Sequence, residues 1–154
     1  MKTIRTILFP TDFSDSSTAA WNHALLHAEK HKAKLVVVHV VHRMPKDYQF
    51  LIVAMTPAQI YEALKERAEQ KMARLAKVAR SKGIACEALI RDGQPFVQII
   101  RCAREVKADI IVMGSHGRTG LAQVLIGSVA EKVVRKAPCS VLVVKHPTQK
   151  FRMP

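Results

Sequence analysis

Apolar and polar positions follow two different periods along this chain, and the periods take turns. Short β-branched runs, Leu35–Val41 (LVVVHVV), Asp109–Met113 (DIIVM) and Ser140–Val144 (SVLVV), have the continuous apolar character of strands covered on both faces. Thr3–Phe9, ended by Pro10, and Ile84–Ile90 complete a set of five predicted strands. Between them the apolar spacing widens to that of helices. Ser14–His31 carries Ala20, Trp21, Ala24, Leu25 and Ala28 on one face, with Ser14 placed as N-cap. Pro57 opens a long helix to Ser81, with Tyr61, Leu64, Ala68, Met72, Leu75 and Val78 as its stripe and Gly83 as its stop. Pro95, after the turn Asp92-Gly93, opens a third helix that turns Phe96, Ile99, Ile100, Ala103 and Val106 inward, and Ser128–Lys136 forms a short fourth.

The order βαβαβαβαβ predicts an α/β fold: one domain, doubly wound, with a five-stranded parallel sheet and helices on both faces. The expected strand order is 3-2-1-4-5, with a domain over residues 1–146 and a polar tail over 147–154. No repeat, linker or low-complexity block interrupts the pattern. The one long irregular segment is His42–Thr56, which holds the apolar patch Leu51-Ile52-Val53-Ala54-Met55. It reads as a lid, as a surface that packs on a partner, or as an extra helical turn.

Composition narrows the class further. The 154 residues are 49% hydrophobic and 24% charged, enough for a sizeable core, and the 5% aromatic content makes that core aliphatic. No apolar run approaches the roughly 18 residues of a membrane span, and the run Ile7-Leu8-Phe9 is too short for a secretory signal. A cytoplasmic globular protein is the expectation. Cys86, Cys102 and Cys139 are odd in number and lack CxxC spacing, so they read as small buried apolar residues, not as disulfides or zinc ligands. The net charge of +13 favours anionic partners, but Glu66 and Glu69 interrupt the densest basic stretch, Lys65–Lys82. Without an Arg-rich arm or an RNA-binding aromatic signature, charge alone names no ligand.

Candidate chemistry sits in Met113-Gly114-Ser115-His116-Gly117-Arg118-Thr119-Gly120 and its continuation to Gly127-Ser128, a G-x2-G-x9-G-S pattern between a buried strand and a helix. Glycines there let backbone N–H groups approach an anion, and the helix from Ser128 adds unpaired N–H groups and a positive dipole end. The competing reading is structural: the glycines shape turns, and Ser128 with Glu131 forms a self-sufficient capping box. The pattern is neither a P-loop nor the GxGxxG dinucleotide fingerprint. In a 3-2-1-4-5 sheet, strands 1 and 4 flank the topological switch point, which places Pro10-Thr11-Asp12 opposite the glycine loop. Asp12 suits ribose hydroxyls or the capping of the helix near Ser14. Val40 suits an adenine wall or plain core packing.

Together these segments identify a resemblance. The stretches Ile7–Ser14, Leu35–Val40, Gly93-Gln94-Pro95, Asp109–Gly120, Gly127–Val133 and Pro138–Val144 resemble the universal stress protein family over residues 2–146. The intact glycine signature makes the chain similar to that family's ATP-binding branch. The resemblance implies that Asp12 contacts ribose and Val40 adenine, and that Met113 and Gly114 lie against the sugar. It implies that Gly117, Gly127, Ser128 and Val129 hold phosphates, with Arg118 in reach, and that Mg²⁺ is bound through the phosphates, no protein-built metal cage being present. It also implies a homodimer. The edge strand Val141–Val144 is apolar throughout and unguarded by charge, which invites pairing with a second copy.

His23, His27 and His31 recur every four residues on one helix face, which reads as a solvated surface before it reads as a Zn²⁺ or Ni²⁺ site. His39 lies inside a strand and reads as a hydrogen-bonded core residue. His116 either approaches the ligand or faces solvent. No carboxylate accompanies Arg118, His116, Ser115 and Ser128 to orient an attacking water, so no catalytic residue is assigned. The expected function is an ATP-binding stress-response protein acting as a nucleotide-dependent sensor or regulator. The alternatives are a slow ATPase or phosphotransferase and, as a third option that is not expected, a nucleic-acid-binding module.

Overall fold

The computed structural model describes residues 3–42, 56–116 and 126–147. Most of the His42–Thr56 segment, Gly117, Arg118 and most of the tail lie outside the described residues. Among the described residues five strands and four helices alternate: β1 (Thr6–Pro10), α1 (Asp15–His31), β2 (Lys34–Val41), α2 (Pro57–Ser81), β3 (Cys86–Asp92), α3 (Pro95–Glu105), β4 (Ile110–Gly114), α4 (Ser128–Lys136) and β5 (Ser140–Val144). Every pairing is parallel and the order is β3-β2-β1-β4-β5, as the alternation predicts.

The two-residue period of the strands sorts their side chains into two cores. Ile7, Phe9, Leu35, Val37 and Val112 pack with Trp21 and Leu25 of α1 and Met72 of α2. Leu8, Val36, Val38, Ile111 and Met113 point the other way, to Ile99 and Cys102 of α3 and Val133 of α4. The predicted face of α1 is buried as a block. In α2 the buried residues are Ala68, Met72, Ala76 and Ala79, while Leu64 and Val78 are exposed. Ala68 and Met72 of the predicted stripe are thus buried and Leu75 packs against the same core, but the seam is completed by Ala76 and Ala79 in place of Leu64 and Val78. Thr56 and Gln59 form a reciprocal capping box at its start.

Four strand starts move by one to three residues, β2 by a single residue to Lys34. β1 begins at Thr6, where its partner begins at Lys34, and it includes Pro10, which faces Val38. β3 begins at Cys86 because Gly83 and Ile84 are used to end α2. β4 begins after Asp109, whose carboxylate accepts the N–H groups of Arg5 at 2.9 Å and Thr6 at 3.1 Å. Helices α1, α2 and α3 share one ending. Ala33 donates to Ala28, Ile84 to Ala79 and Ala108 to Ala103, the long hydrogen bond of a Schellman motif. The left-handed residue of that motif is Gly83 after α2, but Lys32 after α1 and Lys107 after α3.

Cys86 and Cys102 are buried, and burial pushes the Cys102 thiol up to about 11. Cys139 is only half-buried, so the sequence reading of three buried cysteines holds for two. Among the described residues no helix is long and apolar enough to cross a membrane.

Candidate functional site

Parallel strands that reverse direction of winding between β1 and β4 leave a crevice at their C-terminal ends. A cavity of about 350 Å³ lies there, within the ordinary size range of small-molecule sites. One lip is the β1–α1 turn. The N–H of Thr11 continues the ladder to the Val38 carbonyl at 2.9 Å. The buried hydroxyl of Thr11 accepts from Phe13 N–H at 3.0 Å and from Ser17 Oγ at 2.7 Å. Phe13 is held at φ 62°, an uncommon conformation for a bulky residue. Its ring lies 4.5 Å from the His39 ring, and Lys71 Nζ sits 4.8 Å above it. His39 is buried and donates from Nδ1 to the Thr11 carbonyl at 2.7 Å, the hydrogen-bonded core role expected of it.

Asp12 stands at the mouth of that turn. Its Oδ1 accepts the Ser14 N–H at 3.0 Å, while Ser14 itself caps α1 by accepting from Ser17 N–H at 3.2 Å. The capping role that Asp12 was open to therefore belongs to Ser14, and Asp12 forms the turn that precedes it.

The opposite lip is built from β4 and α4. Gly114 ends β4 directly against α1. A Cβ there would lie 2.7 Å from Ser16 Oγ and 2.8 Å from the Ser16 carbonyl carbon and oxygen, so this glycine is required by helix packing. His116 N–H donates to Ser16 Oγ at 3.3 Å, and its Nδ1 lies 2.9 Å from Ser115 Oγ. Gly127 N–H donates to the Ser115 carbonyl at 2.7 Å, which brings the start of α4 onto the end of β4.

The capping-box reading of Ser128 fails. Gly127 is the N-cap of α4, Ser128 is its first helical residue, and no side chain caps this end. Glu131 instead pairs with Arg135 at 3.0 Å. The first N–H groups of α4 have no intrahelical acceptor and face the crevice together with the positive end of the helix dipole.

Ten of the sequence-predicted residues line this one cavity: Pro10, Thr11, Asp12, Val40, Met113, Gly114, His116, Gly127, Ser128 and Val129. Gly117 and Arg118 lie outside the described residues. Ser115, which the sequence places beside the phosphates, lines it too, and sequence reasoning missed Ser17, Val38, Pro95, Ile99 and Ala130. Pro95 and Ile99 come from α3, whose place over the crevice follows from the crossover and has no local signature. Among the described residues no group of three metal-ligating side chains occurs. His27 departs from the solvated-surface reading, because it is half-buried and its Nδ1 is buried without a hydrogen-bond partner. Burial, followed by the charges of His31, His23 and Lys30, holds its pKa below the ordinary value.

Known proteins share this fold. The chain is 38% identical over 141 residues to universal stress protein MJ0531 of Methanocaldococcus jannaschii, covering 92% of this chain and 82% of that one. The solved structure of hypothetical protein MJ0577 superposes with a TM-score of 0.85 at 31% identity, covering 96% of this chain and 99% of that one. A universal stress protein in complex with cAMP superposes with a TM-score of 0.65 at 27% identity, covering 94% and 99%. The model of the universal stress protein family matches residues 3–145, and the chain belongs to that family.

Proposed function

We propose that this protein binds an adenine nucleotide, ATP, in the crevice between β1 and β4, and that it acts in the cytoplasm as a nucleotide-dependent sensor or regulator in the stress response. One observation carries the reading: α4 starts at a glycine, without a side-chain cap, inside the cavity that Asp12 also lines. A helix end left open toward a cavity is a ready anion site. The N–H groups of Ser128 and Val129 suit the phosphates. The Asp12 carboxylate suits ribose hydroxyls, and Val38, Val40 and Ile99 offer an apolar wall for the base. Mg²⁺ fits this donor set only through the phosphates, where it would neutralise their charge. The relative with cAMP bound supports the nucleotide class without fixing which nucleotide.

The dimer belongs to the same reading. Both β3 and β5 are sheet edges. β3 carries Glu87, Arg91 and Asp92, whereas β5 (SVLVV) carries no charge, so β5 is the edge left fit for pairing. A twofold axis beside it closes two copies into a C2 dimer.

Purified protein should carry an adenine nucleotide, released by denaturation and identified by mass. Added ATP should then be turned over very slowly or not at all; multiple turnovers would favour the ATPase or phosphotransferase alternative instead.

A further inference from the structure

We propose that the end of the molecule opposite the crevice is a binding surface for the phosphate backbone of nucleic acid, read without regard to base sequence. The proposal is independent of the nucleotide site. Because all strands are parallel, every helix runs back toward the strand N-termini, and these starts are tied together. Lys34 N–H donates to the Arg5 carbonyl at 2.8 Å, Leu35 N–H to Ala85 at 2.8 Å and Asp109 N–H to Thr6 at 2.9 Å. A cation precedes each of four neighbouring strands at this end: Lys82 before β3, Lys32 before β2, Arg5 before β1 and Lys107 before β4. All four are exposed, and among the described residues none is in an ion pair. Four adjacent strands set these starts across about 14 Å, a breadth that several successive phosphates of one strand would span.

Two of these lysines sit where glycine belongs. The same Schellman ending uses Gly83 at φ 75° after α2, but Lys32 at φ 53° after α1 and Lys107 at φ 51° after α3. A side chain in the left-handed region is unfavourable, and such positions concentrate where the side chain has a task. The helix dipole is no sufficient task. Lys30 and His31 already complement it in the last turn of α1, and Arg104 in that of α3. The third non-glycine residue with positive φ among those described, Phe13, lies at the candidate nucleotide site.

Two of the nearby acids are engaged, while Glu29, in the last turn of α1, is in no ion pair among the described residues. Asp109 accepts two backbone N–H groups, and Glu87 pairs with Lys34. The nucleotide cavity, by contrast, is lined by no lysine or arginine among the described residues, so the phosphate site does not account for the excess of positive charge. A lipid surface fits less well than a nucleic acid. Among the described residues the exposed large apolar ones are Leu26, Leu64, Val78, Ile126 and Val134, none of them in these turns, so these turns offer no apolar side chain for insertion into a bilayer.

The test uses the full chain and a labelled random-sequence DNA duplex of about 20 base pairs, followed by anisotropy from about 50 to about 200 mM salt. The parent should bind, with affinity falling steeply as salt rises. Lys32→Gly with Lys107→Gly should weaken binding by at least about tenfold and flatten the salt slope by roughly two. Because glycine suits both positions, the melting temperature should hold or rise, so lost binding cannot be blamed on lost folding. Lys32→Gln with Lys107→Gln, which keeps the left-handed cost and removes only charge, should weaken binding equally. ATP affinity should be unchanged in both. Absence of duplex binding by the parent, or binding by both double variants as tight as the parent's, would overturn the proposal. So would binding to phosphatidylserine vesicles without binding to the duplex, which would assign the surface to lipid.

Discussion

His39 Nδ1 lies 2.7 Å from the carbonyl oxygen of Thr11, so a buried residue of β2 holds the turn that presents Asp12 to the crevice. Thr11 is anchored through its N–H, its hydroxyl and its carbonyl, the first by Val38 and the last by His39, both of β2. His39→Leu keeps an apolar volume but leaves that carbonyl without this partner, a loss of about 1–3 kcal/mol. In a domain of this size the melting temperature should fall by roughly 3–10 °C. ATP affinity, measured by calorimetry below the transition, should fall as well, because Asp12 loses its fixed position.

Asp12→Asn separates recognition from turn formation. The amide oxygen can still accept from Ser14 N–H, and Ser14 still caps α1. A charge-assisted hydrogen bond to ribose would weaken, and affinity for ATP should drop about tenfold, equivalent to roughly 1.4 kcal/mol. Thermal melting without nucleotide should change little. A large fall in melting temperature with unchanged affinity would return Asp12 to a purely structural role.

His27 gives the fold an acid-sensitive spot. Its pKa is lowered by burial and by His31, His23 and Lys30. Between that lowered value and 6.5 the unfolded chain binds the proton more readily than the folded chain. Stability is therefore full above the ordinary value and is lost as pH falls through the window. Melting at pH about 7.5 and about 5.5 should show a decrease in the parent that is smaller in His27→Gln.

The β5 edge predicts an oligomeric state. The parent should scatter light as a particle of twice the 17.2 kDa chain at micromolar concentration. Leu142 packs with the α1–α2 core and Val141 with the α3–α4 core, so neighbouring residues of β5 face opposite layers. Val143→Lys and Leu142→Lys thus test the two faces of one strand. At least one should yield a folded monomer, and a parent that is already monomeric would rule out this seam.

Much of this was legible in the sequence because strands buried on both faces are continuous β-branched runs, and Leu35–Val41 announces itself. The crevice was legible because a switch point follows from strand order alone. What stayed hidden depended on partners in space. The seam of α2 takes in Ala76 and Ala79 and leaves out Leu64 and Val78, a choice of face made by the neighbouring elements and not by residue size. Ser128 looked like a cap, yet the hydrogen bond from Gly127 to Ser115 moves the cap one residue earlier. Gly114 looked like part of a ligand loop, and its lack of a side chain is explained by Ser16, nearly a hundred residues away in sequence. Lysines at left-handed helix ends have no signature at all until the φ angles are known.

The central claim is that phosphate sits at the uncapped start of α4, and calorimetric titration of ATP with Mg²⁺ into the parent and into Gly127→Val tests it most directly. Gly127 has φ −66° and ψ 156°, extended backbone that valine adopts, so the variant should fold at a cost of about 1 kcal/mol for the poorer N-cap. The parent should bind one ATP per chain, and the valine side chain should abolish binding by standing where the phosphate meets the backbone. A Gly127→Val protein that binds ATP as tightly as the parent would contradict the account.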